Sequence, residues 1–348
     1  MNRRQFVQTT AGALAPAPLL RAVKLAPVAD GIRVGHRISP AFTDDDLAFF
    51  HNMGIEYATI WVNSDRCNYE YFSTTRQKLE AAGIKLLNIG NLDLHCDPDM
   101  VLGLAGRDRK IEQYQRYLRD LGRAGIHYTT YAHMANIKMA PYYATGRGET
   151  RGISTRLFDL EKARTLPYSH GRVYEEAEIW GTFTHFLKAV IPVAEEAGVR
   201  IGLHPDDPPA NSLGGVARIF RTASAYQRAI DIAGSENFGL CFCVGTWAEG
   251  GKQLEKDVYE MIETFGPKGR IFKVHFRNVE GSLPRFQEAM VDAGYIDMEK
   301  VARLLHQTGV NGVLIPDHVP GEGLRGNNTA YTIGYMRAAV QNARRRTG

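Results

Sequence analysis

The sequence predicts one domain of the α/β class, a (β/α)8 or TIM barrel. Strand-like and helix-like segments alternate eight times along the chain, which favours parallel strands separated by helices. Several helix-like segments close on glycine, the residue expected where a helix ends in a left-handed cap. Residue types that bind metals also follow four successive strands. A doubly wound sheet shares the alternation but does not explain that last observation.

The eight strands are predicted from short runs of apolar and β-branched residues. In chain order these runs are IRVGHRI, EYATIWVN, KLLNIGN, HYTTYAHM, RIGLHP, FGLCFCVG, RIFKVHF and GVLIPDH. Because a helix-like segment separates each run from the next, the strands are expected to lie parallel.

The eight helices are predicted from apolar residues that recur at helical spacing. In chain order they are TDDDLAFFHNMG, TTRQKLEAAG, RKIEQYQRYLRDLGRAG, EEAEIWGTFTHFLKAVIPVAEEAG, ASAYQRAIDIAG, DVYEMIETFG, MEKVARLLHQTG and AYTIGYMRAAVQNARR. Glycines that would close a helix stand at Gly83, Gly125, Gly198, Gly234 and Gly309.

The composition is that of a folded globular chain. Its 348 residues, 44% hydrophobic and 23% charged, can form a large core in one barrel or in two smaller domains. The formal net charge is +4 without a long basic run, so nucleic acid is not expected as a partner. Four cysteines are too few for a disulfide scaffold. After the N-terminus no run approaches the ~18 apolar residues of a membrane-spanning helix, so stable membrane insertion is not expected.

Residues 1–26 resemble a twin-arginine export signal. Arg3 and Arg4 precede Phe6 and a modestly apolar stretch that contains no acidic residue. The alternative is a disordered tail in which two arginines occur by chance. With the signal the protein would be periplasmic or exported; without it the protein would be cytoplasmic. The barrel itself is expected over residues 27–348.

The segment near residues 134–175 has no clear periodicity and is rich in glycine, arginine and tyrosine. It follows the fourth predicted strand, at the end of a barrel where active sites are built. We therefore expect a long, lid-like loop over the barrel mouth.

Four residues at strand ends form the main candidate site. They are His204, Cys243, His275 and Asp317, each at the end of an apolar run. Imidazole, thiolate and carboxylate groups together bind a divalent transition metal, and parallel neighbouring strands would bring these groups to one point. A single histidine or cysteine in a strand is more often a packed core residue. The recurrence over successive strands favours a metal site.

Strand parity refines this prediction, because side chains alternate between the two faces of a strand. Cys241 and Cys243 share a face, and Cys243 is nearer the carboxyl end, so Cys243 is the better ligand candidate. The same count places His318 on the face opposite to Asp317 unless the backbone turns at Pro316.

Five segments, in order along the chain, resemble the D-mannonate dehydratase family of xylose-isomerase-like barrels. They are HPDDPP, the CVGT turn, VHFRNV, FQEAMVDAGYIDM and IPDHVPGEG. The match extends from Ile201 to Arg337; in the N-terminal half LGLAGRDRKIEQYQRYLRDLGRAGI is recognisable. In that family the corresponding residues hold a manganese-type ion, which implies the same four ligands here. Iron, cobalt or zinc would also fit this donor set.

The resemblance implies substrate-binding residues as well. It places substrate contacts at Arg277 and Asn278, and His95 is recognisable as a further binding residue. Arg277 would hold a substrate carboxylate through its planar fork, the alternative being a salt bridge across the barrel mouth. Asp206 is expected to contact substrate or to support the ligands, or else to cap a short turn.

The resemblance also implies proton transfer near His318 and Tyr331, so that an acid and a base flank the metal. The alternative for Tyr331 is an aromatic side chain packed on the barrel from a helix face. The reaction implied is loss of water from an aldonic acid, D-mannonate in the first place, which gives 2-keto-3-deoxy-D-gluconate.

Two alternatives to a dehydratase remain at this point. The same barrel and metal would suit a sugar isomerase, epimerase or lyase, and a non-catalytic exported sugar-binding protein is the second alternative. The stretch after the fourth strand lacks the tryptophan-containing pattern of the family, so a related sugar acid or carbohydrate could be the ligand. A homo-oligomer is compatible with the sequence.

Overall fold

The computed structural model describes residues 26–135, 143–146, 151–321 and 323–345. The strands are β1 (Arg33–Arg37), β2 (Tyr57–Val62), β3 (Lys85–Asn91), β4 (Tyr128–Tyr131), β5 (Tyr143–Gly146), β6 (Thr155–Asp159), β7 (Arg200–Leu203), β8 (Ser212–Leu213), β9 (Val216–Ala217), β10 (Phe238–Cys243), β11 (Ile271–His275), β12 (Asn278–Glu280), β13 (Arg285–Ala289) and β14 (Val313–Ile315). The helices are α1 (Asp44–Met53), α2 (Tyr69–Ala81), α3 (Pro98–Leu102), α4 (Arg107–Arg123), α5 (Leu160–Arg164), α6 (Glu176–Ala197), α7 (Ala223–Ala233), α8 (Val244–Gly250), α9 (Val258–Phe265), α10 (Met298–Gln307) and α11 (Asn327–Arg345).

Eight of these strands form a parallel sheet in the order β3-β2-β1-β14-β11-β10-β7-β4. The edge strands β3 and β4 contact each other, so the sheet curves round into a nearly closed barrel. Each of the eight strands lies within a run predicted from the sequence, and the predicted (β/α)8 barrel is confirmed. The strands β7, β10, β11 and β14, which precede the four candidate ligands, are neighbours in this order.

The helix α6 shows how local sequence sets the position of a site residue. A capping box between Glu175 and Glu178 begins the helix, and Gly198, with a left-handed φ of 63°, ends it. Its Phe186 ring stacks on Tyr131 of β4 with the ring centroids 4.4 Å apart. The turn at Gly198 leads directly into β7, which carries the chain to His204 at the barrel mouth.

The amino-terminal part of the barrel interior is filled by apolar and aromatic side chains. An added Cβ at Gly202 would lie 2.4 Å from the hydroxyl of Tyr128, so only glycine leaves room for that ring. Because of this packing, the amino-terminal part of the barrel interior is a core rather than a channel. A ligand would enter from the carboxyl ends of the strands. The cluster comprises Ala29, Tyr57, Leu87, Tyr128, Phe272, Val313 and Ile315.

A second, antiparallel sheet of four strands, in the order β12-β13-β6-β5, corrects the prediction of a loop near residues 134–175. We call it the mouth sheet, because β12 begins three residues after the end of β11. The described part of the predicted loop instead contains β5, β6 and α5. Its pairing partners are Arg285–Ala289, far along the chain, so periodicity within the segment could not reveal these strands.

The predicted export signal over residues 1–26 lies outside the described residues except for its last position, and it stays a prediction. Among the helices that the structure describes, none combines the length and the apolar character needed to cross a membrane.

Candidate metal centre and active site

A cavity of about 670 Å³ opens at the carboxyl ends of the barrel strands. Its lining includes both predicted histidine ligands, the predicted aspartate ligand and the histidine that follows it. Aromatic and cationic side chains from the first strands complete the wall. The lining residues used below are His204, His275, Asp317, His318, Arg37, Trp61, His95 and Lys273.

Three of the four predicted ligands lie together. His204, Cys243 and His275 are all buried, and each offers one ligand atom within 4.8 Å of the others. Cys243 and His275 end the paired strands β10 and β11 and are register partners, which explains their closeness. The Nδ1 atom of His204 lies 2.7 Å from the carbonyl oxygen of Pro205, and this hydrogen bond leaves Nε2 available as a ligand.

Asp317 lies beside this group rather than within it. Its Oδ2 atom is 3.2 Å from Nδ1 of His275, a buried nitrogen that makes no well-aligned hydrogen bond with the described residues. A carboxylate oxygen and an unsatisfied imidazole nitrogen at this separation are suited to share a cation. The donor set of imidazole, thiolate and carboxylate therefore fits a divalent transition metal.

The charges of the site favour the ligand forms of the thiol and the carboxyl group. Burial opposes ionisation of Cys243, but the Arg277 charge and hydrogen bonds from His204 and His275 hold its pKa well below the usual range. Burial likewise opposes ionisation of Asp317, yet nearby His318 and His275 keep its pKa well below normal. Metal binding requires a thiolate and a carboxylate, and both are already favoured.

Cys241 occupies the position that strand parity predicts. It faces the same side of β10 as Cys243, and its Sγ atom lies 3.4 Å from Nε2 of His275. It is not part of the group of three whose ligand atoms converge. Cys241 and Cys243 are thus two buried thiols on the same face of β10, two residues apart. Only Cys243 belongs to the candidate metal centre.

His318 lines the cavity because the backbone turns after Pro316. Its φ of 46° is left-handed, which is unusual for a residue other than glycine and reverses the parity expected for a continuous strand. Its Nδ1 atom lies 2.8 Å from Oε1 of Glu288 and 2.8 Å from Nη2 of Arg156. Both partners come from the mouth sheet.

Arg277 makes salt bridges to acidic side chains of the protein. Its Nη1 atom donates to Glu249 at 2.6 Å, and its Nη2 atom donates to Asp207 at 2.8 Å and to Thr246 at 3.0 Å. The side chain is only 3% exposed. The structure contains the salt bridge that the sequence left as the alternative, and contact between Arg277 and a substrate carboxylate stays a prediction.

Asn278 and Asp206 are also engaged by the protein itself. The Asn278 amide donates to the carbonyl oxygens of Val291 and Ile296 and accepts from two backbone N–H groups, so it clamps the chain after β13. Asp206 is fully buried, accepts from the Phe220 N–H at 2.7 Å and pairs with Arg218. Both side chains bind other parts of the protein, and their contact with substrate stays a prediction. Asp207, the next residue, lines the cavity instead.

Tyr331 and His95 differ from each other in their position relative to the cavity. Tyr331 is 45% exposed, and its hydroxyl donates to Asp292 at 2.7 Å. It is not among the residues that line the cavity, and its part in proton transfer stays a prediction. His95 does line the cavity, with its ring edge-on to Trp61 at a centroid distance of 4.8 Å.

Several functional candidates were missed by the sequence reasoning. Glu288 and Arg156 hold His318, and Glu249 with Asp207 holds Arg277. Glu288 lies within the segment FQEAMVDAGYIDM that resembles the family, which was the available signal. Asp207 lies within HPDDPP, another of these segments. Arg156 and Glu249 carry no local pattern, because their roles depend on contacts between elements distant in the chain.

The chain is similar in sequence and in structure to known mannonate dehydratases. The family model described as D-mannonate dehydratase (UxuA) matches residues 58–146 and 151–339. Mannonate dehydratase 2 of Halalkalibacterium halodurans is 30% identical over 269 residues, covering 70% of this chain and 76% of the relative. Mannonate dehydratase of Streptococcus pneumoniae is 31% identical over 285 residues, or 75% of each chain. The crystal structure of mannonate dehydratase from Streptococcus suis superimposes with a TM-score of 0.77 at 26% identity, covering 92% of this chain and 95% of that one.

Proposed function

The chain belongs to the D-mannonate dehydratase family and is a hydro-lyase of sugar acids, and on that premise we propose that it converts D-mannonate to 2-keto-3-deoxy-D-gluconate and water with a bound divalent metal. The convergence of His204, Cys243 and His275 beside Asp317 is the observation that carries the metal requirement. Manganese is the metal that the family resemblance favours. The comparisons give no support to the alternative of a non-catalytic exported sugar-binding protein.

The reaction breaks two bonds of the aldonic acid. The proton at C2, beside the carboxylate, is removed and hydroxide leaves from C3; together they form the water that is released. The enol that results takes a proton at C3, loses the proton of its C2 hydroxyl group, and becomes the 2-keto-3-deoxy acid. A cation held by His204, Cys243 and His275, with Asp317, would supply positive charge that stabilises the negative charge developing beside the carboxylate.

His318 is the residue to which we assign a proton transfer. When its Nδ1 carries the proton it donates to Glu288, and when Nδ1 is bare it accepts from Arg156, both at 2.8 Å. Either tautomer is therefore satisfied on the protein side, which leaves Nε2 free to take up or release a proton. Burial opposes ionisation of Glu288, but His318, Arg156 and Arg277 hold its pKa below normal, so it remains a carboxylate.

Arg277 orders the acidic groups around the cavity. It lies within 3.8 Å of Asp207, Glu249, Glu288 and Asp317, and thereby connects the loop after β7, the helix α8, the mouth sheet and the turn after β14. Because the guanidinium is buried, loss of its charge would leave several carboxyl groups unpaired. We assign it a positioning role.

The experiment that tests this proposal is a product assay with defined metal. The protein is stripped of metal, reconstituted with Mn²⁺, and given a panel of aldonic acids that includes D-mannonate, with 2-keto-3-deoxy acid as the readout. We expect product from D-mannonate only in the reconstituted enzyme. His275→Ala should abolish it, whereas His185→Ala, an exposed histidine on α6, should not. Metal binding without product from any acid would contradict the proposal and favour a sugar isomerase or epimerase.

A further inference from the structure

Acidic groups of the protein surround Arg277, the residue expected to hold the substrate carboxylate. Four carboxyl groups lie within 3.8 Å of its guanidinium, from Asp207, Glu249, Glu288 and Asp317. Arg156 is the other guanidinium at this place, and it pairs with Glu288 at 2.6 Å. A substrate carboxylate brought to this corner of the cavity would meet more acidic than basic groups, and its binding there would be unfavourable.

Two other cationic side chains line the same cavity, and they differ in how far they are exposed. Lys273 is 0% exposed, and its ammonium group lies 3.5 Å from the hydroxyl of Thr130, below the cavity surface. Arg37, the last residue of β1, is exposed at the cavity. Within the described parts of the chain, the Arg37 guanidinium has no hydrogen-bonding or ion-pair partner. It is therefore the cation that a ligand can reach.

The wall beside Arg37 is built to receive a carbohydrate. Arg37 is the register partner of Thr59 on β2, and Trp61 follows on the same face of that strand. The Trp61 ring lies directly on the backbone of β3, since an added Cβ at Gly90 would be 2.3 Å from it. His95 packs edge-on against the same ring. Aromatic rings that are fixed in this way pack well against the C–H groups of a sugar.

We propose that Arg37 binds the carboxylate of the sugar acid and that Trp61 packs against its carbon chain. This inference rests on the proposed function and names the part of the site that selects an acid over a neutral sugar. Arg37 can offer two parallel N–H donors to a carboxylate, a geometry that a lysine or histidine does not provide. The candidate metal ligands His204, His275 and Asp317 line the same cavity, so one substrate can contact both Arg37 and the metal centre.

The test compares Arg37→Gln with the wild-type enzyme in its metal-loaded form. We expect KM for D-mannonate to rise on the order of 10- to 100-fold, the effect of losing a charge-assisted bidentate contact, while kcat changes much less. Direct calorimetric binding should show that wild type prefers D-mannonate to D-mannose and that the variant has lost this preference. Added guanidinium ion should partly restore Arg37→Ala, which a purely structural role would not allow.

Two comparison variants separate the possible results. Arg33→Gln removes the same side chain from the other end of β1, where Arg33 pairs with Asp30 and Glu56, and should leave KM unchanged. An unchanged KM in Arg37→Gln would overturn the inference, as would a rise seen in Lys273→Met instead. If wild type turns over no sugar acid, the proposed function fails. The binding comparison of D-mannonate with D-mannose then still decides whether Arg37 recognises a carboxylate.

Discussion

The proposed chemistry depends most on the pairing of His318 with Glu288. A left-handed backbone turns the imidazole into the cavity, and a carboxylate from the mouth sheet holds it there. Neither feature is visible in the local sequence. Burial of Glu288, at 3% exposed, means that its charge is not screened by solvent. The orientation of His318 should therefore be sensitive to this one carboxylate.

We predict that Glu288→Gln lowers kcat for the sugar acid by on the order of 10- to 100-fold, with little change in bound metal. The amide keeps the size of the side chain but cannot accept from both His318 and Arg156 as a charged group. Steady-state kinetics and metal analysis of the same samples measure the two effects. Glu280→Gln, on the neighbouring strand β12, is the control. A variant with normal kcat would show that Glu288 does not position His318.

For single residues, the sequence predicted the positions of the candidate ligands better than the partners of the side chains around them. Strand ends and parity identified His204, Cys243 and His275, because a period of two residues follows from strand geometry alone. The predicted substrate roles of Arg277, Asn278 and Asp206 stay predictions, and the partners that these side chains find in other parts of the fold were not predicted. Hydrogen bonding across elements is not encoded in local spacing.

Among the elements, the mouth sheet matters most for function. It carries Glu288 on β13 and Arg156 on β6, and these two strands pair in register through Phe286 and Phe158. The two phenylalanine rings stack with centroids 5.3 Å apart in a small cluster separate from the main core. The Phe158 and Phe286 rings hold β6 and β13 together, so the stability of these strands and the position of His318 are linked.

Phe158→Ala should loosen the mouth sheet and reduce activity without loss of metal. Truncation of a buried phenylalanine costs about 3–5 kcal/mol, and here the loss falls on a local unit rather than the barrel. Hydrogen exchange should show faster exchange in β6 and β13, and kcat should fall. Phe265→Ala, in α9 of the main core, should lower global stability but leave kcat near normal in folded protein. Equal effects of the two variants on kcat would contradict this account.

The barrel strands and the mouth sheet also differ in how far the sequence predicted them. All eight barrel strands were predicted, because buried parallel strands are continuous apolar runs. The strands β5, β6, β12 and β13 were not, since they are short and find their partners far along the chain. Short antiparallel strands that depend on remote partners have no strong local signal.

For the molecule as a whole, buried neutral histidines tie stability to pH. His133 is 2% exposed, and its Nδ1 atom shares a hydrogen bond with the hydroxyl of Tyr131 at 2.8 Å. Burial lowers the pKa of His133 to about 3, and burial lowers that of His36 to about 4. The unfolded chain binds protons at these residues below about pH 6.5, whereas the folded chain does not.

The free energy of unfolding should therefore fall as the pH drops from about 6.5 towards 4. Each of the two histidines contributes about 1.4 kcal/mol per pH unit in this range, or about 2 kcal/mol by pH 5. The stability that they confer is fully present above pH 6.5. Denaturant unfolding at several pH values measures how steeply the free energy of unfolding depends on pH. His133→Gln should reduce this slope by about 1.4 kcal/mol per pH unit, the contribution of one proton. An unchanged slope would show that His133 can be protonated in the folded state.

The most direct test of the central claim compares the two thiols of β10, which are two residues apart on one face and equally buried. Cys243→Ala and Cys241→Ala are purified side by side, and Mn²⁺ per chain is measured together with 2-keto-3-deoxy acid formation from D-mannonate. We predict that Cys243→Ala loses both metal and product, whereas Cys241→Ala keeps close to one Mn²⁺ per chain and forms product. Retention of metal and activity in Cys243→Ala would contradict the account.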